Sequence, residues 1–193
     1  MKRIAFCLMV FCVGICSQAQ ENFTQFHFSG LEVVVRQAEK FSYRLARPEL
    51  YRIKIEQGWL VIEAKSLKGK LPKSRIELWV TDVENLCVHN GKVVTPDTLH
   101  VEFLEVELGV SSGEIRAHAH YVHVNLGAGS RLTIEGAADR AILNAEETSI
   151  LDAGKLTAHD GEADVRQQAE VTAFIRQVNR VYTDEGTFTN LCP

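Results

Sequence analysis

From Val106 to Val181 apolar and polar residues alternate with period two, and short polar or glycine-bearing breaks interrupt the alternation at near-regular intervals. Val106-Glu-Leu-Gly-Val-Ser-Ser-Gly-Glu-Ile115 sets the pattern. Val124–Leu132, Ile142–Ile150, Thr157–Val165 and Ala173–Val181 repeat it. The start positions step by 18, 18, 15 and 16 residues, and the closing apolar positions 115, 132, 150, 165 and 181 step by 17, 18, 15 and 16. Alternation sends successive side chains to opposite faces of a strand, and short repeats of this kind predict a β-solenoid. Gly109, Ser111, Ser112, Gly113, Gly127, Gly129, Ser130 and Gly161 fall at the breaks, where tight corners need positive φ. The Val, Ile and Thr content and the glycine breaks disfavour helix.

One such repeat cannot stand alone. It offers about three inward side chains, each worth roughly 1.5–3 kcal/mol on burial. Ordering about sixteen residues costs on the order of 1–2 kcal/mol per residue in backbone entropy. Stacking repairs the deficit, because each strand gains ladder hydrogen bonds on both sides and each inward face gains a second packed layer.

Upstream, Phe26 to Gln37 predicts two strands broken at Ser29-Gly30, and Phe41 to Leu45 a third. Tyr51 to Glu63 predicts a hairpin about Gln57-Gly58. The lysine-rich stretch Ser66 to Ser74 predicts a solvated loop, and Ile76 to Val80 another strand. Residues 83–94 predict an irregular first rung, Thr95-Pro96-Asp97 a corner, and Leu99 to Leu108 a strand leading into the repeats. The fold class is therefore all-β. Residues 26–80 form an N-terminal β region that serves as cap or first rungs, and 83–193 form the repeated rungs, with the polar tail from Thr183 as a thin last partial rung.

Lys2 and Arg3, the apolar run Ile4–Ile15 and Ser17-Gln18-Ala19 predict a signal peptide over 1–19, leaving a mature chain of 20–193. A lipidated Cys16 is the alternative, which the bulky Ile15 before it disfavours. No later stretch approaches 18 apolar residues, so no transmembrane segment follows the signal. The net charge of −4 becomes −6 once Lys2 and Arg3 are removed, which argues against nucleic acid as a partner. Of the five cysteines, Cys7, Cys12 and Cys16 lie in the signal segment. Cys87 and Cys192 remain, read as a buried thiol and a loose one, with a bridge between them left open.

The segments Phe28-Ser-Gly-Leu-Glu-Val-Val-Val-Arg-Gln37, Trp59-Leu-Val-Ile-Glu63 and Ile76-Glu-Leu-Trp-Val80, with the corners Leu108-Gly-Val-Ser-Ser-Gly-Glu-Ile115 and Leu126-Gly-Ala-Gly-Ser-Arg-Leu132, carry a resemblance. Together they resemble the putative auto-transporter adhesin head GIN domain family (DUF2807) of exported Bacteroidetes proteins. The family's sharper Ser-Gly-Ser-Gly corner is eroded here to Ala145-Glu-Glu-Thr148 and His159-Asp-Gly-Glu162. The resemblance implies a right-handed parallel β-helix-like solenoid, an address in the cell envelope (periplasm, outer membrane surface or secreted) and no established catalytic residue.

His118, His120 and His123 are the most metal-like spacing in the chain, but no acidic or cysteine ligand accompanies them, so outward-facing polar residues are the default reading. Asp139, Arg140, Glu146, Glu147, Asp152, Asp160, Glu162, Asp164 and Arg166 are the groups from which a polysaccharide-active β-helix enzyme would draw, without any fixed catalytic pair. Phosphate-loop, nucleophile-elbow and zinc-protease motifs are missing. Tyr121, Phe174 and Tyr182 are candidate aromatic anchors for a ligand. The reading is a non-catalytic exported surface-binding module or adhesin, with glycans or envelope and extracellular proteins as partners. The alternative is a small polysaccharide-active enzyme. No catalytic residue, cofactor or metal site is assigned.

Overall fold

The computed structural model describes residues 23–66 and 74–193, so the signal peptide expected over 1–19 and most of the 66–74 loop lie outside the described residues. The described residues form fourteen strands and one 3₁₀ turn, Pro48–Leu50. The short strands are β1 (Gln25–Ser29), β2 (Glu32–Gln37), β3 (Ser42–Leu45), β4 (Tyr51–Glu56), β5 (Trp59–Ala64), β6 (Arg75–Val80), β7 (Asn85–His89), β8 (Lys92–Val94) and β14 (Thr187–Asn190). The long ones are β9 (Leu99–Gly109), β10 (Ser112–Gly127), β11 (Arg131–Ala145), β12 (Ile150–Arg166) and β13 (Glu170–Asp184). They are the coils of a β-solenoid, and each long strand bends at a corner to serve two walls.

Wall 1 stacks β3, β6, β2, β8 with the opening residues of β9, the first halves of β10, β11, β12 and β13, and then β14. Wall 2 stacks β4, β5, β1, β7, and the second halves of β9, β10, β11, β12 and β13. Every step is parallel except the two outermost, where β3 lies antiparallel on β6 and β4 antiparallel on β5. Residues 26–80 are therefore both expected things at once. β1 and β2 form a full rung of the solenoid, and β3 and β4 close its end. Along the stack β1 lies between β5 and β7, so the first strand in sequence is not the first layer in space.

The core runs the length of the stack as one cluster. Val122, Val124 and Leu126 point inward in register with Leu104, Val106 and Leu108 below and with Ala141, Leu143 and Ala145 above. Side-chain volume is shared between layers. Gly113 sits between Val93 and Leu132, and a Cβ there would meet Leu132 Cδ1 at 2.8 Å and Val93 Cγ1 at 2.9 Å.

The register corrects the rung boundaries. Ser112, Arg131, Ile150 and Glu170 stand in line, so successive turns take 19, 19 and 20 residues. Thr157 pairs with Ala137 on wall 1 instead of following Ile142, which pairs with Glu162 on wall 2. The ladder is irregular between Ala153 and Thr157, and period-two alternation looks the same on either wall, so a bulge hides the change of wall.

The corners also differ from expectation. Gly129 takes the expected positive φ of 69°, but Gly109, Gly113, Gly127 and Gly161 do not. One left-handed column runs through Asn90, Val110, Ala128, Glu147, Gln167 and Glu185, at φ 52°, 52°, 50°, 52°, 51° and 58°. Inside this column stand the buried serines Ser111, Ser130 and Ser149. The Ser130 hydroxyl lies 3.0 Å from the carbonyl oxygen of Leu108 in the rung below, and Arg131 N donates to Ser111 O at 2.9 Å. Such bonds hold consecutive corners together where the strands themselves are interrupted, each worth about 1 kcal/mol.

Val110 is β-branched, 61% exposed and left-handed, a conformation that costs an L-residue roughly 1–2 kcal/mol. Val110→Asn is expected to raise stability by about 1 kcal/mol, read as a higher urea midpoint at unchanged m-value. Gly136 has φ 129°, and a Cβ there would lie 1.9 Å from Ala117 O. Gly136→Ala is expected to cost roughly 2–4 kcal/mol in the same measurement.

A polar wall and a histidine cleft

Because Val122, Val124 and Leu126 point inward, the residues between them point out, and parallel register lines them up with their neighbours into columns. One column on wall 2 reads Phe103, Tyr121, Arg140, Asp160, Gln177. The next reads Glu105, His123, Ile142, Glu162, Arg180. The third begins at His27 and Cys87 and continues Glu107, Asn125, Asn144, Asp164, Tyr182.

Across these columns the side chains bond to one another. His123 Nδ1 lies 3.2 Å from Glu105 Oε1, while Asn144 Nδ2 lies 3.1 Å from His123 Nε2. With Asn144 Nδ2 as the donor, His123 Nε2 accepts and Nδ1 faces the Glu105 carboxylate. Asn144 Nδ2 also donates to Asn125 Oδ1 at 2.9 Å, and Asn125 Nδ2 donates to Glu105 Oε1 at 3.3 Å. Glu162 accepts from Arg140 Nη2 at 2.6 Å and meets Arg180 Nη2 at 3.1 Å. Arg166 grips Asp164 with two bonds of 2.7 and 2.6 Å and lies 5.1 Å over the Tyr182 ring. Asn125, Asn144, Glu162, Asp164, Arg166 and Arg180, with Gly109 and Gly127, line a groove of about 770 Å³.

The three spaced histidines do not come together. The bend between Ala119 and Tyr121 sends His118 to wall 1 and His123 to wall 2 and leaves His120 on the corner. His118 stands in register with His100, their rings edge to face at 5.1 Å. His120 sits between Asp139, to which it is hydrogen-bonded, and Glu102 at 3.6 Å. With Thr81 and Asp82 these residues line a shallow cleft of about 620 Å³. The bond to Asp139 and the charge of Glu102 raise the His120 pKa above its ordinary 6.5.

Of the candidate anchors, Tyr121 is half-buried and stacks on Phe103 at 5.1 Å, and Tyr182 is 49% exposed. Phe174 is half-buried on wall 1 beside Thr157. The candidate carboxylates Asp160, Glu162 and Asp164 share one rung, each ion-paired with an arginine or a histidine. Asp139 is on the corner with His120, and Asp152 is on wall 1. Glu146 and Glu147 lie at the turn beside the groove. Cys87 and Cys192 are both free thiols. Cys87 stands on β7 and Cys192 follows β14, beyond β13; β7 and β13 are five ladder steps, roughly 24 Å, apart, too far for a bridge. Sequence reasoning missed one cluster altogether. His27, Cys87 and His89 each offer a donor atom, and these atoms lie within 4.8 Å of one another. No helix among the described residues is long and apolar enough to cross a membrane.

Fold and outer face define a β-solenoid that displays ladders of polar side chains on rigid walls. The chain belongs to the family described as "Putative auto-transporter adhesin, head GIN domain" (DUF2807), whose model matches residues 23–181. No curated protein matches it. Among solved structures it is similar to a putative adhesin from Bacteroides fragilis, with a TM-score of 0.75 at 17% identity over 89% of this chain and 94% of that one. A putative lipid binding protein from Parabacteroides distasonis gives a TM-score of 0.61 at 12% identity, covering 89% and 94%. A putative adhesin from the same species gives 0.53 at 12%, covering 89% and 91%. At these identities the likeness is one of fold.

The raised His120 pKa has a definite consequence. Its contribution to stability is complete below 6.5, the ordinary value, and is lost as pH rises through the raised value. An NMR titration is expected to give a His120 midpoint above 6.5, and Asp139→Asn is expected to bring that midpoint down.

Proposed function

We propose that this protein is a non-catalytic, exported surface-binding module of the cell envelope, and that its wall 2 groove takes hydroxyl-rich polymers such as glycans. The observation that carries this reading is the lattice Glu105–His123–Asn125–Asn144 beside Glu162, Arg140 and Arg180. It offers amide donors and acceptors and charged groups at a fixed spacing of about 4.8 Å, the rung separation, on a backbone that the core holds still. Hydroxyl groups can both donate and accept, so they match such a mixed surface better than an apolar ligand does. Tyr182, 49% exposed, ends the column that carries Asn125 and Asn144 and adds an aromatic edge to the wall. The family description and the adhesin descriptions of two fold relatives support the same reading.

The test is saturable retention on a panel of immobilised polysaccharides and matrix proteins. Binding to a glycan class is expected, and the double variant Asn125→Ala, Asn144→Ala is expected to weaken it at least tenfold without lowering Tm by more than a few degrees. Absence of saturable binding, or equal binding by the double variant, rejects the reading. Steady release of new reducing ends from the bound polymer would favour a polysaccharide-active enzyme instead.

A further inference from the structure

We propose that His27, Cys87 and His89 form a zinc-binding site at the head of wall 2, with Glu107 positioned to complete it. The topology assembles the site from distant sequence. β1 inserts between β5 and β7, which places His27 in direct register with Cys87. His89 follows two residues after Cys87 on the same strand and so faces the same side. One donor atom from each of the three lies within 4.8 Å of the others. Zinc bonds of about 2.0–2.3 Å in tetrahedral array need donors roughly 3.3–3.8 Å apart, so side-chain rotations of about 1 Å close the site without moving the backbone.

The surroundings fit a metal better than they fit packing alone. Phe26, Phe28, Leu86 and Val88 point into the core, so His27, Cys87 and His89 are on the outer face. Yet Cys87 is only 7% exposed, covered by its polar neighbours. The His27 and His89 rings lie stacked with centroids 5.4 Å apart. Gly109 makes room for the second ring: a Cβ there would lie 2.5 Å from His89 Nδ1. Two carboxylates stand at the rim. Glu107 Oε1 is 3.6 Å from His89 Nε2, and Glu63 Oε1 is 3.9 Å from His27 Nε2. Glu107 is also the register partner of Cys87. A thiolate, two neutral imidazoles and one carboxylate would neutralise a divalent ion, and nitrogen, sulfur and one oxygen are the donors zinc takes. Glu63 is then placed to orient the His27 ring from outside the coordination sphere.

Zinc takes cysteine as the thiolate, so binding at Cys87 displaces the thiol proton to solvent, and affinity rises with pH.

The experiment uses the full chain without a metal-binding tag and under reductant. Cys7, Cys12, Cys16 and Cys192 are changed to serine, so that Cys87 is its only thiol. The chelator-stripped protein is titrated with Co2+ and then with Zn2+. The expected result is a thiolate-to-cobalt charge-transfer band that saturates at about one equivalent, is abolished by zinc, and accompanies release of about one proton per metal. Cys87→Ser removes the band, and His27→Gln and His89→Gln each weaken zinc binding at least tenfold, with metal-free circular dichroism unchanged. The proton count and the band are read on the parent chain, so they stand even if a variant misfolds. No charge-transfer band, a band without proton release, or zinc affinity unaltered in both histidine variants overturns the proposal. No glycan enters the assay, so its outcome is separate from that of the binding-module reading.

Discussion

The structure depends on one geometric demand, that each coil of about twenty residues return the chain to the same place one strand spacing further on. A parallel pair needs a long crossover, and here the crossover is the rest of the rung. The return is enforced at the corner, where Asn90, Val110, Ala128, Glu147, Gln167 and Glu185 turn left-handed in succession. The serines inside that corner bond to the carbonyls of the rung beneath. Once the corners align, every outward residue inherits a partner in the next rung and every inward residue shares its volume with two layers. A Cβ at Gly113 would press on both Leu132 and Val93. The price is strain at residues such as Val110, held left-handed at φ 52°.

Because the core and the corners carry the fold, the outer face is free to vary. Exposed ion pairs contribute only about 0–1 kcal/mol each, so the lattice of arginines, carboxylates and amides on wall 2 is a weak argument for stability and a better one for recognition. The stack is covered unequally at its two ends. β4 and β3 seal one end in antiparallel fashion, with Tyr51 buried and its hydroxyl donating to Gly30 O. At the other end β14 covers only Glu170 to Ala173, which leaves Val178 and Val181 of β13 exposed at the last rung.

Legibility in the sequence followed how local each signal was. The hairpin about Gln57-Gly58 and the strands of 99–127 could be read directly, since alternation and turn residues sit side by side there. Thr157 defeated the count because a bulge after Ala153 shifts the phase, and alternation carries no mark of which wall it belongs to. Of the glycines expected at corners, Gly129 takes positive φ, while Gly109, Gly113 and Gly161 serve close packing, and non-glycine residues bear most of the positive φ. Spacing groups His118, His120 and His123, while a bend at His120 disperses them. The reverse holds for His27, Cys87 and His89: sixty residues separate the first two, and only the insertion of β1 between β5 and β7 unites them. Nothing in the local pattern of Phe26-His27-Phe28 announces that neighbour.

That insertion also bears on the order in which the molecule can assemble. Synthesis delivers β1 first, yet both its partners, Trp59–Ala64 and Asn85–His89, come later. Joining Gln25 to Asn85 closes a loop of sixty residues, an entropic toll on the order of 3–4 kcal/mol before any contact rewards it. The rungs of β10 to β12, by contrast, close over 19 or 20 residues. Loop closure thus favours the middle rungs over the β1–β7 pairing by about 1 kcal/mol, and until β5 and β7 stand beside β1, Phe26 and Phe28 have no neighbouring strand.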